Sequence, residues 1–292
     1  LKRMRQYEFP VPDGFVITTE LYRQRDIINM HPDISSEFDT LLYKHLQRLE
    51  HKTGLRLGDP SRPLLISVRS GAPMSLPGAM DTFLNIGLND EITLNLSKRK
   101  NYGWTAWDCY RRLIQSWGMA YGIPRDEFDF VMINSKKKYQ VQLKTQFTDE
   151  QMRLMVEDYK AVLSAHQVFL EPDPFRQMYS AISHVLDSWN TDRAQLYRQK
   201  LHIANEWGTA VIIQRMVLGN ISLDSGTGVV FTHADWSNEP GICMNGDFTL
   251  CSQGEDVVAG LVHTLPITEQ QRQNSLVSTD TSLEKDFPLI YQ

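Results

Sequence analysis

The residues best suited to chemistry lie in one segment, residues 66–90, which reads ISVRSGAPMSLPGAMDTFLNIGLND. A short apolar run at 64–68 predicts a β-strand that ends before Arg69, and a link of small residues then leads to Gly78. An arginine can grip phosphate oxygens with a planar fork of N–H donors, and small residues let backbone N–H groups approach an anion. The segment therefore favours a phosphate-binding loop after a strand, with a plain solvated turn as the alternative.

Asp81 and Thr82 follow this loop and open the next apolar segment. Both residue types are frequent helix N-caps because their side-chain oxygens accept hydrogen bonds from the first free N–H groups. We therefore expect one of them to cap a helix that begins there.

Other patterns indicate the elements that must hold this loop. The spacing predicts short strands at 15–19 and 210–217, a helix over 33–56, and a helical region from about 96 to 171 in which Thr148 caps a helix. After Pro174 we expect a helix pair or one long helix, with a packing corner of Trp189, Asp192 and Arg193 that holds a local ion pair. The pattern at residues 233–252 predicts an excursion of the chain made of antiparallel strands, with turns at Pro240-Gly241 and Asn245-Gly246.

Composition excludes several classes of protein. The chain has 292 residues, and 41% of them are hydrophobic. Its net charge of −5 argues against non-specific electrostatic binding of nucleic acid. Its three cysteines contain no C-x-x-C pair, so a reduced, cytoplasmic setting is expected and a zinc site is not. The sequence has no apolar run near 18 residues, so we expect no membrane partner.

The chain also resembles a known family. Its segment SVRSGAPMSLPGAMDTFLNIGLND is similar to the signature of the nucleotide-binding part of pyruvate phosphate dikinases and phosphoenolpyruvate synthases, close to S-V-R-S-G/D-A-x-x-S-M-P-G-M-M-D-T-x-L-N-L-G-L-N. Other blocks recur in the family's order: VPDGFVITTE at 11–20, DSWNTDRAQLYR at 187–198, GTAVIIQRMVLGN at 208–220, SGTGVVFT at 225–232 and GDFTLCSQGEDVVAG at 246–260. Together they cover most of the chain.

The resemblance implies an α+β fold of the ATP-grasp type, in which two α+β lobes clamp a nucleotide, with a helical insertion outside. Residues 1–89 and 173–220 would form the first nucleotide-binding lobe, and 90–172 the insertion. Residues 221–292 would form part of the second lobe, incomplete at its C-terminus. The family's lysine-bearing turn and metal-binding strands would lie outside this chain, so we assign no metal ligand.

The resemblance also implies the site. Arg69 would be the catalytic residue, because phosphoryl transfer mainly requires positioned positive charge. The expected nucleotide contacts are the loop residues Gly78, Met80 and Thr82, the adenine hinge Gln214, Met216 and Val217, the phosphate contacts Thr227 and Gly228, and Gln253 with Glu255, the latter a ribose contact.

The function implied is the ATP-binding part of a dikinase-like phosphotransferase. With ATP and Mg²⁺ as cofactors, the complete enzyme would transfer a phosphoryl group to a histidine on a separate domain, and then to pyruvate on another to form phosphoenolpyruvate. Two alternatives stay open: a free-standing nucleotide or phospholigand sensor or partner subunit, and a scaffold that binds no nucleotide. The oligomeric state, including a homo-oligomer, is left open.

Two positions depart from the family pattern. His233 stands where the dikinases usually carry an arginine after F-T, and the R-T-P that usually follows V-V-A-G-I is replaced by a stretch containing His263. Permanent positive charges thereby become groups that are mostly neutral at pH 7. If those arginines hold phosphates, affinity should fall or depend on pH.

Overall fold

The computed structural model describes residues 2–72, 78–233, 242–258, 260, 262–274 and 279–291. The chain divides into two compact units, residues 1–216 and 217–292. Each unit mixes helices with an antiparallel sheet, and this confirms the predicted α+β class. The finer boundaries at 89, 172 and 220 stay predictions.

The first unit is built on a four-stranded sheet. Its strands are β1 (Gly14–Ile17), β2 (Ile66–Ser70), β3 (Thr82–Ile86) and β4 (Val211–Arg215). They lie in the order β1-β4-β2-β3, and every neighbouring pair is antiparallel. Strands far apart in sequence therefore become neighbours, and β4 lies at the centre between β1 and β2.

Helices of the first unit surround this sheet and continue into a helical layer. They are α1 (Lys2–Gln6), α2 (Thr19–Met30), α3 (Pro32–Thr53), α4 (Asp90–Ser97), α5 (Gly103–Ala120), α6 (Arg125–Tyr139), α7 (Asp149–Ala165), α8 (Pro174–Ser188) and α9 (Asp192–Lys200), with short 3-10 turns at Lys144–Gln146 and Asn205–Trp207. The predicted helix pair after Pro174 is confirmed as α8 and α9. Local capping decides several ends, because Thr148 accepts a hydrogen bond from Gln151 N–H and Thr191 accepts one from Ala194 N–H.

The two faces of the four-stranded sheet differ because side chains alternate along each strand. One face is apolar and packs on helices α5 and α8; its residues are Ile66, Val68, Phe83, Val211 and Ile213, all fully buried. Phe83 meets Trp117 of α5 edge-on at 5.8 Å between ring centroids. The opposite face carries Ser67, Arg69 and Gln214; Ser67 and Gln214 are buried, and Arg69 is exposed.

Two local predictions around the loop were wrong. Arg69 and Ser70 belong to β2 and do not end it, because both pair with β4. Asp81 and Thr82 do not cap a helix: Thr82 begins β3 and pairs with Arg69. Hydrogen bonds between the strands satisfy backbone N–H and C=O groups that would otherwise need partners within a helix. The first helix after the loop is α4, capped by Asn89.

The second unit is smaller. Its sheet joins β5 (Gly226–Phe231), β6 (Asn245–Leu250) and β7 (Leu265–Pro266) in antiparallel order, with helices α10 (Gly254–Val258), α11 (Glu269–Asn274), α12 (Leu283–Asp286) and α13 (Pro288–Tyr291). The antiparallel pairing of β5 with β6 follows the predicted excursion. Asn245-Gly246 was wrongly predicted as a turn, since both residues pair with β5. Pro240-Gly241 lies outside the described residues.

No helix in the described ranges is both long enough and apolar enough to cross a membrane. The three cysteines, all within those ranges, form no disulfide with one another.

Candidate functional site

Arg69 lies on the polar face of the first sheet, opposite the face that packs on helices α5 and α8. It is beside Gln214, a buried glutamine of the central strand β4. Ser67 pairs with Gln214 across β2 and β4, and Arg69 is two residues further along the same face. The Arg69 Nη2 donates hydrogen bonds to Gln214 Oε1 at 3.2 Å and to Ser67 Oγ at 3.4 Å. The guanidinium is thus held by two neutral side chains.

No carboxylate pairs with this guanidinium among the described residues. The Arg69 side chain is partly exposed, yet the protein atoms packed around it displace water and lower its pKa from the usual value. An arginine nevertheless remains protonated at neutral pH. A cation that has lost water without gaining a counter-charge is electrostatically suited to an anionic ligand.

Gln214 fixes the geometry of this arrangement. It is 7% exposed, and its Nε2 donates a hydrogen bond to the backbone oxygen of Pro12 at 2.9 Å. With its NH₂ group used in this way, its oxygen faces Arg69. Gln214 therefore ties the segment before β1 to the arginine on β2.

A cavity of about 400 Å³ opens beside Gln214 on the β1–β4 side of the sheet. Its lining is largely apolar, with Val16 and Ile212 on the strands and Val11 in the segment before β1. Gly14 must be small there, because a Cβ would lie 2.3 Å from the Ile213 carbonyl oxygen. A pocket of this size and character suits a flat ring system, with Gln214 as a polar contact at its edge.

The loop that enters β3 ends in a turn at Gly78 and Ala79. Gly78 has φ +64°, a left-handed conformation that glycine adopts without strain. Thr82 pairs with Arg69 across β2 and β3, so the end of this loop lies next to the arginine. Residues 73–77 lie outside the described residues.

The α8–α9 corner supports this loop. Ala79 belongs to a buried cluster with Trp189, Ala194 and Ile203, and Met80 packs against the same cluster. Trp189 is fixed in turn by its indole N–H, which donates to the Asn205 backbone oxygen at 3.0 Å. Of the predicted packing corner, only Trp189 packs in this cluster, which includes the loop residue Ala79, whereas Asp192 and Arg193 are exposed.

Arg193 is the site-region residue that sequence reasoning misjudged. The ion pair predicted at this corner is absent from the described residues, and Arg193 forms neither an ion pair nor a side-chain hydrogen bond there. Its guanidinium lies instead over Gly78, where a Cβ would come within 3.0 Å of Arg193 Nη2. The block at 187–198 resembles the family's sequence, and this was the available signal that the corner matters. No local sequence pattern, however, connects residue 193 with residue 78.

The predicted hinge residues differ in their surroundings. The Met216 N–H donates to the Leu65 backbone oxygen at 2.8 Å, so this N–H is not available to a ring edge. Val217, the first residue of the second unit, is 70% exposed. Only Gln214 of the three hinge residues lines the cavity described above.

Besides Val217, four predicted contacts lie in the second unit: Thr227, Gly228, Gln253 and Glu255. Thr227 and Gly228 belong to β5, and the Thr227 hydroxyl lies 3.5 Å from the position of a Cβ on Gly254 at the start of α10. Gln253 is only 3% exposed, and its Nε2 donates to Asn220 Oδ1 at 3.4 Å. The fold thus brings Thr227 and the 253–255 segment together.

The two adjacent carboxylates of this segment play different structural roles. Asp256 is buried and accepts hydrogen bonds from the Ser252 hydroxyl and, at 3.4 Å, from the Gln253 N–H. Glu255 is exposed, so it is the one able to reach a ligand. His233 and His263, the two departures from the family pattern, are exposed as well.

A metal site is not identified. The described residues contain no group of three or more histidine, cysteine, aspartate or glutamate side chains that could hold a metal ion. We therefore assign no metal ligand.

Comparison with known proteins identifies the family of the chain. All of residues 1–292 match the family described as "Pyruvate phosphate dikinase, AMP/ATP-binding domain". The chain is 36% identical to the pyruvate, phosphate dikinase of Clostridium symbiosum over 295 residues, which cover 100% of this chain and 32% of that protein. It is 36% identical to the Rickettsia bellii enzyme of the same name over 280 residues, with 96% of this chain and 31% of that protein covered.

A plant relative is similar to the same degree. The chloroplastic pyruvate, phosphate dikinase of Flaveria trinervia is 38% identical over 265 residues, which cover 89% of this chain and 27% of that protein. The chain thus spans about a third of the length of the curated relatives that it matches. By the match over its whole length, together with the phosphate-suited loop and arginine, this chain belongs to the pyruvate phosphate dikinase AMP/ATP-binding domain family, whose fold is of the ATP-grasp type.

Proposed function

We propose that this chain binds ATP through Arg69 and the residues around it. The observation that carries this proposal is the Arg69 guanidinium, which is partly desolvated and lies next to Thr82, the first residue of β3. Among the described residues it is held only by the neutral side chains of Gln214 and Ser67. Phosphate oxygens would supply the negative charge that no described carboxylate supplies to Arg69. The fork of N–H donors suits two phosphate oxygens at once.

The remaining contacts of the first unit follow from the same geometry. Gly78 and Met80 stay predicted phosphate contacts, as in other loops whose backbone cradles an anion. The cavity beside Gln214 would take the adenine ring, with Gln214 as the polar contact. Thr82, Met216 and Val217 stay predicted contacts.

In the second unit, Thr227 and Gly228 stay predicted phosphate contacts. Glu255 is the predicted ribose contact, and its exposure supports this role. The buried position of Gln253 favours a part in holding the 253–255 segment, through Asn220, over direct contact with a ligand.

Arg69 would act in phosphoryl transfer by holding charge in place. Negative charge spreads over the oxygens of the transferring group in the transition state, and a fixed cation stabilises it without reorganisation. Gln214 and Ser67 orient the guanidinium before ligand arrives, so little side-chain freedom is lost on binding. Magnesium, when bound, would neutralise phosphate charge, and none of the described residues is assigned to it.

For the whole protein we propose the dikinase reaction. A phosphoryl group would pass from ATP to a histidine on a separate domain and then to pyruvate on another, to form phosphoenolpyruvate. The support is the full-length match to proteins named pyruvate, phosphate dikinase. The comparisons do not support the alternative of a free-standing sensor. A cytoplasmic setting, with no nucleic-acid or membrane partner, agrees with the acidic charge and the three cysteines.

Calorimetric titration with ATP, with and without Mg²⁺, tests the binding proposal. Wild-type chain should bind, and Arg69→Ala should weaken binding about 10- to 100-fold, because hydrogen bonds to a charged group contribute about 1.5–3 kcal/mol. Arg48→Ala removes an exposed arginine from α3 and should leave the affinity unchanged. Absence of binding by wild type, or equal affinities for wild type and Arg69→Ala, would refute the site.

A further inference from the structure

A second guanidinium lies on the loop that enters β3, and the chemistry assigned above does not use it. Arg193, near the start of α9, places its Nη2 3.0 Å from where a Cβ of Gly78 would be. This is tighter than nine in ten real Cβ contacts, so the guanidinium lies directly against the backbone of the turn.

This placement is not explained by helix stability. Arg193 is the second residue of α9, where the positive end of the helix dipole disfavours a cation. Within the described ranges it has no carboxylate partner and no side-chain hydrogen bond. The guanidinium is thus an exposed, uncompensated charge directly above the turn at Gly78.

The backbone beneath Arg193 is held in place. Ala79 and Met80 pack on Trp189 and Ala194, and the Ser188 hydroxyl contacts the Met80 sulfur at 3.8 Å. Since Ala194 directly follows Arg193, the corner that orients the arginine is the same one that orients the loop. The same packing therefore positions both the guanidinium of Arg193 and the backbone of residues 78–80.

We propose that Arg193 is a second phosphate-binding cation of the nucleotide site, acting beside Gly78 while Arg69 acts beside Thr82. This inference rests on the proposed ATP binding at Arg69 and adds a residue to it. Arg69 pairs with Thr82 across β2 and β3, and Arg193 lies over Gly78, four residues before Thr82. A ligand with several linked phosphates would engage both guanidinium groups, whereas the nucleoside alone would engage neither.

A series of ligands with no, one, two and three phosphates tests the proposal. Dissociation constants for adenosine, AMP, ADP and ATP are measured by calorimetry, or by competition for weak ligands, on the wild-type chain and on Arg193→Gln. ATP affinity should fall about 10-fold or more in the variant, the loss expected for one charge-assisted hydrogen bond. Adenosine affinity should not change, so the gain in affinity from adenosine to ATP should shrink.

Two further variants separate charge from packing. Arg193→Lys keeps the positive charge and loses the fork, so its ATP affinity should lie between those of wild type and Arg193→Gln. Arg176→Gln removes an exposed arginine from the first turn of α8 that also lacks a side-chain partner among the described residues, and it should match wild type. Thermal unfolding of each variant reports whether the corner remains folded.

Each outcome decides between the proposals. No binding of ATP by wild type overturns the proposed function itself, and this inference with it. Normal ATP affinity in Arg193→Gln overturns the inference alone, and so does an equal loss for adenosine and ATP, which would assign Arg193 to packing. If Arg193→Gln does not fold, Arg193→Lys decides. The inference is overturned if the gain in affinity from adenosine to ATP is the same in Arg193→Lys as in wild type.

Discussion

The Arg69 guanidinium on β2 donates a hydrogen bond to the Gln214 side-chain oxygen on β4, 3.2 Å away, although 145 residues separate the two in sequence. The strand register creates this contact, because Ser67 is opposite Gln214 and Arg69 follows on the same face. The amide orients the arginine without neutralising it. The charge is therefore held in position and still available to an anion.

Replacing Gln214 by glutamate should reduce ATP affinity, and it also removes the hydrogen bond to the Pro12 backbone oxygen, so thermal unfolding is measured alongside. A carboxylate at the position of Oε1 would pair with Arg69 and supply the counter-charge that phosphate is proposed to bring. We expect ATP binding to weaken by about 10-fold or more, in the range expected for loss of a charge-assisted contact. Calorimetric titration measures the effect.

The control for this variant is Gln47→Glu, which adds the same charge on the exposed side of α3. It should bind ATP as wild type does. In an Arg69→Ala background, Gln214→Glu should add little further loss. A Gln214→Glu protein that folds and binds ATP with wild-type affinity would contradict the proposed role of Arg69.

Asp81→Asn should stabilise the protein at neutral pH. Burial, and secondly the nearby Asp187 charge, raise the pKa of Asp81 in the folded state. Ionisation of this carboxyl therefore opposes folding, and the penalty grows as the pH rises above the unfolded value of 3.8 and through the raised folded pKa. Urea unfolding at pH 7 should show a higher midpoint for the variant, with the difference disappearing below about pH 4.

The exposed Asp158 of α7 provides the comparison for this prediction. Asp158→Asn should leave the urea midpoint nearly unchanged at both pH values. A lower midpoint for Asp81→Asn at pH 7 would show that the ionised carboxylate is stabilised in the fold, contrary to the prediction.

Asp108→Asn should strongly destabilise the helical layer. Asp108 is fully buried on α5; burial alone would raise its pKa, but attraction by Arg112, Lys144 and Arg111 holds the pKa well below its usual range. The carboxylate accepts hydrogen bonds from Arg112 Nε at 2.9 Å and from Arg111 Nη2 at 3.0 Å. Removing one charge from a buried ionic cluster costs about 3–5 kcal/mol.

Urea unfolding monitored by tryptophan fluorescence and circular dichroism measures this loss. Because the folded pKa of Asp108 is depressed, its contribution is present above the unfolded value of 3.8 and is lost as the pH falls through the folded pKa. The gap between wild type and variant should therefore be largest near pH 7. A loss no greater than that of Asp158→Asn would contradict a stabilising role for the cluster.

Glu255→Gln should reduce discrimination between ATP and 2′-deoxy-ATP. The carboxylate is exposed at the start of α10, while its neighbour Asp256 is buried and bonded to Ser252. A carboxylate accepts a stronger hydrogen bond from a ribose hydroxyl than an amide does. Wild type should prefer ATP over the deoxy analogue, and the variant should lose most of this preference in calorimetric titrations.

Asp224→Asn, an exposed change in the same unit, should retain the wild-type preference. Equal ratios of the two affinities in wild type and Glu255→Gln would remove Glu255 from the ribose contacts.

Local chemistry made some features of this protein predictable from sequence. Thr148 was recognisable as a helix cap because the cap hydrogen bond joins residues only three positions apart. The prediction failed at Asp81 and Thr82, whose types suit a cap equally well. There, pairing of Thr82 with Arg69 on a neighbouring strand determined the structure instead.

The sequence by itself determined the family, the α+β class, the presence of a glycine-containing loop and the arginine before it, because each depends on residue type or on spacing within one segment. Only the tertiary structure decided that Gln214 holds Arg69 and that Arg193 covers Gly78. Those relationships arise from strand order and from the packing of Trp189 and Ala194 on the loop. Contacts between residues more than a hundred positions apart leave no periodic or local signal in a single sequence, so the pairing of charge and loop becomes visible only in the folded chain.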